Sequence, residues 1–208
     1  MPTNEEITRH HDDPPGLDPF VNGAPAPSEI RIVEYDERWP ADFERVRARV
    51  VAALGDAALE IHHVGSTSIP GLPAKPVIDI DLVVANPADE AAYIPALEAA
   101  GFVHLIREPW WHEHRLLKHK DPSTHLHVFG PDCPEVIRHL MFQDWLLAHP
   151  EERERYAQAK RAAAHEMNAR PGGGTGMEYN RHKEPVVREI LDRMFRANGL
   201  LSEDDRVG

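Results

Sequence analysis

At 208 residues, 41% of them hydrophobic, the chain has enough apolar content for the core of one large domain or two small ones. A formal net charge of −12 and the lack of a long basic run argue against a long polynucleotide as partner, because such binding rests on Lys and Arg neutralising phosphates. Cys133 is the only cysteine, which excludes an intramolecular disulfide and a cysteine-rich zinc site. No run approaches the ~18 apolar residues of a membrane span and no signal-peptide core is present, so a soluble, cytoplasmic protein is expected.

In chain order, residues 1–28 are rich in Pro, Asp and Glu, with Asp12-Asp13-Pro14-Pro15 and Ala24-Pro25-Ala26-Pro27, and are expected to be extended or disordered. Leu17, Phe20 and Val21 give that segment some apolar grip on a domain surface. The main domain is expected over 29–198, with a flexible tail at 199–208. Residues 30–34 alternate apolar and polar, as a half-buried edge strand does. Pro40 suits a first helical turn, Phe43, Val46, Val50 and Leu54 recur at helical spacing, and Gly55 ends the pattern. Residues 59–64 then read as a strand delivering the turn Gly65-Ser66, with Thr67 and Ser68 opening a short helical turn. The following loop is stiffened by Pro70, Pro73 and Pro76.

Residues 77–84 are β-branched and apolar apart from Asp79 and Asp81, and a period of two puts both carboxylates on one face. Two like charges in a core strand need a counter-ion. Neighbouring same-face positions lie roughly 6 to 7 Å apart, close enough to converge on one hard cation. The small residues Gly65 and Ser66 can bring backbone amides and a hydroxyl close to phosphate oxygens. A Gly-Ser turn followed by Asp-x-Asp therefore points to metal-dependent phosphoryl chemistry, with an inert, solvated strand end as the plain alternative.

Asn86-Pro87-x-Asp89 carries a helix-start signal, Gly101 the matching stop, and Pro95 a kink or a shortening. Residues 102–107, 115–119 and 124–129 read as three strands of the same sheet, the last two joined by a turn at Lys120-Asp121-Pro122-Ser123. Helices are expected over 133–148, 151–169 and 177–197, with a glycine loop at 172–176. Cys133 is expected to be a buried thiol without a role.

The run His63-Val64-Gly65-Ser66-Thr67-Ser68-Ile69-Pro70-Gly71-Leu72, with Ala74-Lys75-Pro76 and Ile78-Asp79-Ile80, resembles the signature of the GrpB family. That family belongs to the nucleotidyltransferase superfamily of the DNA polymerase beta type, whose Gly-Ser turn and Asp-x-Asp strand Gly65-Ser66 and Asp79-Ile80-Asp81 match in type and spacing. Tyr35-Asp36, Trp39-Pro40, His125 to Phe129, Arg138-His139-Leu140, Asp144 and Ala148-His149-Pro150 extend the resemblance over roughly residues 30 to 195. It implies an α/β (α+β) fold, a nucleotidyltransferase-like mixed sheet flanked by helices, with a helical C-terminal extension.

By the same resemblance His127 stands where the superfamily has its third metal-binding carboxylate. Imidazole suits Zn²⁺, Mn²⁺ or Fe better than Mg²⁺, and His127 is alternatively a general base. His112 and His114 are expected in a solvated turn. The expected set is Asp79, Asp81 and His127 for metal and catalysis, with Gly65, Ser66, Ser68, Lys75, Arg115 and Lys118 toward the nucleotide. Arg107 is a further cation near the same sheet. Tyr179 and Lys183, one helical turn apart, match family positions in the last helix, as site residues or as a brace. The cofactor expected is a divalent metal, Mg²⁺ or Mn²⁺ with Zn²⁺ possible, and the partners a nucleoside triphosphate and a small-molecule acceptor. The function implied is transfer of a nucleoside monophosphate to that acceptor. The alternatives are a nucleotide or metabolite sensor without turnover, and a metal hydrolase using Asp79, Asp81 and His127.

Overall fold

The apolar run that carries the two aspartates forms β2 (Ile78–Val83), the second strand of a five-stranded mixed sheet in the order β1-β2-β5-β4-β3. Its neighbours are β1 (Glu60–Val64), antiparallel, and β5 (Ser123–Phe129), parallel. Beyond β5 lie β4 (His114–Lys120) and β3 (Val103–Glu108), both pairings antiparallel. The computed structural model describes residues 1–12, 14 and 16–202.

Alternation along the strands separates two unlike faces. Ile78, Ile80 and Leu82 of β2, Leu126 and Val128 of β5 and Leu117 of β4 point to one side. There they form a core with Trp39, Val46 and Val50 of α2 (Trp39–Leu54) and Ile94 and Leu97 of α3 (Ile94–Ala99). The spacing of Val46 and Val50, both 0% exposed, is the helical spacing read from the sequence, and Gly55 caps α2 with φ +53°. The other side of the sheet carries the aspartates and histidines. Three helices flank that side, α4 (Pro134–Ala148), α5 (Pro150–Asn168) and α6 (Gly176–Ala197), within two residues of the expected bounds. Leu146 of α4, Tyr156 and Ala157 of α5 and Ile190 of α6 bury Ile69 and Leu72, so the helices hold the loop that follows the Gly-Ser turn.

Three local expectations are corrected. Residues 30–34 form no strand: Val33 pairs only with Ala74, and both backbone groups of Ile30 are satisfied by the Asn168 side chain, at 2.8 and 3.0 Å. Asn86-Pro87-x-Asp89 starts no helix. The segment is a turn in which Asn86 Oδ1 accepts from the Ala88 amide and buried Tyr93 donates its hydroxyl to the Pro87 carbonyl, followed by a 3-10 turn at Glu90–Ala92. Helix α3 begins only at Ile94, which puts Pro95 in its first turn, where a missing N–H costs nothing. Within the segment expected to be extended, Asn4–Thr8 is a short helix, α1. It is closed by a Thr3–Glu6 capping box and docked through Ile7 on Leu191, Met194 and Phe195 of α6.

Asp13 and Pro15 of the acidic, proline-rich run lie outside the described residues, as do 203–208 of the expected tail; Leu200 and Leu201 pack beside α6. Cys133 is a buried thiol, pushed up to about 11 by burial. Among the described residues no helix is long and apolar enough to cross a membrane.

Leu126, 0% exposed at the centre of the sheet, should lose about 2 to 5 kcal/mol on change to alanine, by transfer and cavity terms. Thr175→Ala removes only the capping box that opens α6 and should cost about 1 kcal/mol. Urea unfolding of the two variants checks the order; equal losses would mean that the sheet core is not where the stability resides.

Candidate functional site

Strand pairing assembles the polar face. Asp79 lies in register with His125 and Asp81 with His127 across the parallel β2–β5 pair. His125, His127 and Phe129 alternate on one side of β5, and His114, Leu116 and Lys118 on the same side of β4.

Asp79, His125 and His127 each offer one ligand atom, all within 4.8 Å of one another. His125 Nδ1 is 3.3 Å from Asp79 Oδ1. Burial by itself would raise Asp79, but the hydrogen bond and charge of His125, with Lys75 adding to it, bring the carboxyl down to about 2. It is a carboxylate at any ordinary pH. The Gly-Ser turn sits directly on it: a Cβ added at Gly65 would come 2.6 Å from Asp79 Oδ2. Gly65 also has φ +67° and ψ −167°, a region open in practice only to glycine. Ser68 Oγ donates to the Gly65 carbonyl at 2.7 Å and so closes the turn, while Ser66 Oγ faces inward to Lys160.

Asp81 stands beside this cluster rather than in it. It is 0% exposed; its Oδ2 meets His139 Nδ1 of α4 at 2.8 Å, and its Oδ1 is buried with no hydrogen-bond partner among the described residues. Burial would lower His139, yet the Asp81 charge and hydrogen bond, with Glu135, raise it to about 9. His139 is therefore held as the imidazolium. Of the set expected from the sequence, Asp79, Asp81 and His127, the structure brings Asp79 and His127 together with His125, and Asp81 stands outside that group.

His127 points to the same side as both aspartates. Its Nδ1 lies 3.0 Å from His114 Nε2, and His114 Nδ1 lies 2.7 Å from Glu108 Oε2. His114 is 3% exposed, which corrects the solvated turn expected there. Burial lowers His114 and His127 to about 3 and raises Glu108 to about 7, so both imidazoles are neutral.

One lysine meets the Gly-Ser turn, and two others lie near it electrostatically. Lys160 of α5, 2% exposed, donates to Ser66 Oγ at 3.0 Å and to the Pro73 carbonyl, and lies 4.5 Å from the centre of the Tyr156 ring. Lys75 sits 4.9 Å from the Tyr179 ring, and Lys183 donates to the Tyr156 hydroxyl at 3.1 Å. Tyr179 and Lys183 thus brace α6 and line the lysine cluster at once. Burial, and next the Lys183 charge, push Lys160 down to about 6. Lys118, paired with His125 on the polar face, is lowered by burial.

Arg115 is corrected. It lies on the opposite side of the sheet, 4% exposed, with Nε on Glu90 Oε1 at 2.6 Å and Nη1 on Glu113. Its register partner Val128 belongs to the apolar core, so strand parity keeps it from the aspartates. Arg107 is bound to the same Glu90. The sequence argument missed His139, Lys160, Glu108 and His125. His125 had a signal, its alternation with His127, and His139 had one in the Arg138-His139-Leu140 run of the resemblance; Lys160 had none, because helix docking alone brings it in.

Gly65→Ala should cost about 1 to 3 kcal/mol in backbone strain and displace the Asp79 carboxylate as well. Gly71, at φ +78° with nothing within 4 Å of an added Cβ, is the control for strain alone. Urea unfolding and titration of the Asp79 carboxyl by NMR separate the two effects. An Asp79 signal unchanged in Gly65→Ala would show that the turn does not rest on the carboxylate.

The family model described as GrpB protein matches residues 29–193. A UPF0157 protein of Halalkalibacterium halodurans is 45% identical over 170 residues, spanning 81% of this chain and 84% of that protein. A dephospho-CoA kinase of Mycolicibacterium paratuberculosis is 32% identical over 197 residues, spanning 82% of this chain but 47% of the kinase, about half its length. The crystal structure of the conserved protein GrpB from Enterococcus faecalis shares the fold, with a TM-score of 0.66 at 24% identity over 79% of this chain and 99% of that one. With its signature turn, its aspartate strand and a match over most of its length, the chain belongs to the GrpB family.

Proposed function

We propose that the polar face is a metal-dependent nucleotidyl transfer site that moves a nucleoside monophosphate from a nucleoside triphosphate to a small acceptor. One observation carries this: the Gly65-Ser66 turn rests on the Asp79 carboxylate, so a phosphate-binding loop and a cation-binding group share one edge. The donor set of one carboxylate and two imidazoles fits a divalent ion, Mn²⁺ or Zn²⁺ better than Mg²⁺, which prefers oxygen. The unpartnered buried Oδ1 of Asp81 is a further oxygen that nearby positive charge would satisfy. Asp79, His125 and His127 would hold the ion, which when bound supplies Lewis-acid charge neutralisation to the phosphates.

The chain's own residues do the rest. Ser66 and the turn orient the phosphates. The cluster of Lys75, Lys160 and Lys183 offsets the charge that grows on pyrophosphate as the acceptor oxygen bonds to the α-phosphorus and the bond to the leaving group breaks. The His139–Asp81 ion pair fixes the floor of the site against α4. Because relatives over about half their length carry the name dephospho-CoA kinase, dephospho-coenzyme A belongs among the acceptors to be tried.

A second reading, metal-dependent hydrolysis, is favoured by the imidazole-rich donor set of Asp79, His125 and His127, which suits a nitrogen-preferring ion. Incubation with a triphosphate, Mn²⁺ or Zn²⁺ and a panel of acceptors decides between them. Acceptor-dependent pyrophosphate release supports transfer, acceptor-independent cleavage supports hydrolysis, and tight binding without product supports a sensor.

Asp79→Asn should abolish the metal-dependent part of triphosphate binding, read by calorimetry with and without Mn²⁺; unchanged binding would remove Asp79 from the site. Lys160 gives a pH signature. Its value of about 6 in the folded chain lies below the ordinary 10.5, so between the two the unfolded chain binds more protons and this lysine's contribution makes stability rise with pH. An anion placed against it reverses the shift. Triphosphate binding at about pH 8 should take up close to one proton, seen as a dependence of binding heat on the ionisation enthalpy of the buffer, and Lys160→Met should lose most of it.

A further inference from the structure

Glu108, His114 and His127 form a continuous hydrogen-bonded chain across the three strands β3, β4 and β5. Glu108 Oε2 lies 2.7 Å from His114 Nδ1, and His114 Nε2 lies 3.0 Å from His127 Nδ1. The two rings stack at 5.2 Å with 23° between their planes. Glu108 and His114 are also register partners at the end of the β3–β4 pair, with side chains 12% and 3% exposed.

The direction of such a chain follows from which atoms can donate. A carboxylate only accepts. Facing an ionised Glu108, as it is above about pH 7, His114 Nδ1 must carry a hydrogen, and a neutral imidazole then has a bare Nε2. That bare nitrogen can only accept, so His127 Nδ1 carries the hydrogen of the second bond. His127 is left with a bare Nε2, the nitrogen that His114 leaves free for the cluster with Asp79 and His125.

We propose that Glu108, acting through His114, is a positioning residue that holds His127 as the Nδ1–H tautomer, so that the Nε2 lone pair is presented to a cation at the Asp79–His125–His127 cluster. The opposite tautomer would aim an N–H at that cation and could not ligate it. The consequence for metal affinity rests on the site proposed above; the tautomer itself does not. A carboxylate that orients a ligating imidazole from outside is a common support of metal sites, and its loss costs about 10- to 100-fold in metal affinity. Here the support acts at one remove, through a second imidazole.

The test uses the full chain, labelled with ¹⁵N on histidine. It is studied without metal at about pH 8, above the value of about 7 at which Glu108 ionises. Two-bond ¹H–¹⁵N correlations read which nitrogen of His127 carries the proton, and zinc titration calorimetry on the same samples reads affinity. In the parent, His114 and His127 should both be Nδ1–H. Glu108→Gln, isosteric but uncharged, should mix the His127 tautomers and weaken Zn²⁺ binding about 10- to 100-fold. Glu108→Asp should recover part of both, and His114→Phe should lose the preference. A purely structural role in bracing β3 against β4 would lower stability and leave the tautomer alone.

An Nε2–H tautomer at His127 in the parent overturns the proposal. So does a Glu108→Gln variant with parental tautomer and parental affinity, which remains decisive if His114→Phe fails to fold. A parent that shows the expected tautomer but binds neither Zn²⁺ nor Mn²⁺ upholds the positioning role and instead overturns the metal-dependent site.

Discussion

The site depends on the approach of the Gly65 backbone to the Asp79 carboxylate. No other residue type allows it, since an added Cβ would lie 2.6 Å from Oδ2 and the backbone occupies a region reserved in practice for glycine. The contact fixes the end of β1 relative to β2 and sets the turn at the height of the acidic group. The loop behind it is clamped in turn by Ile69 and Leu72, which are buried among α4, α5 and α6. A turn held from both sides is formed before any ligand arrives, so little ordering entropy is left to be lost on binding.

One face of the sheet stores the charge. Asp81, His114 and the half-buried Asp79, His125 and His127 sit where an ordinary two-layer protein would put leucine or valine. Two of these groups are matched, Asp81 through its Oδ2 by the His139 imidazolium and the ring of His114 by Glu108 and His127. Asp81 Oδ1 has no hydrogen-bond partner among the described residues. Burying such groups costs stability, and unlike the apolar core on the opposite face this layer is not explained by packing. Perturbed carboxyl, imidazole and amino groups gathered on one face are the arrangement on which the proposed function rests.

The helices after the sheet complete the site as well as covering it. Lys160 of α5 reaches Ser66 and His139 of α4 reaches Asp81, contacts 94 and 58 residues apart in sequence. Both side chains have protonation states set by what they meet there, Lys160 depressed by burial and His139 raised by Asp81 against burial. The C-terminal helices and the sheet are therefore electrostatically one unit.

The sequence by itself determined the elements whose evidence is local. The period-two pattern of residues 77–84 made β2 and put Asp79 and Asp81 on one face, and the apolar spacing of Phe43, Val46, Val50 and Leu54 made α2. Gly65-Ser66 with Asp79-x-Asp81 marked a turn and a strand that meet in the structure. Where tertiary contacts outbid local preference, sequence patterns misled: residues 30–34 alternate like a strand but are held by Asn168 and Ala74, and the Asn86-Pro87 signal is spent on a turn pinned by Tyr93. The parity of Arg115 places it with the core, a fact that needs the register with Val128 to be known. Only the tertiary structure decided that His125 joins Asp79 and His127, that His139 neutralises Asp81, and that Lys160 stands behind Ser66. These contacts join strands and helices far apart in sequence, and neither periodicity nor spacing carries information about which side chains meet once separate elements pack.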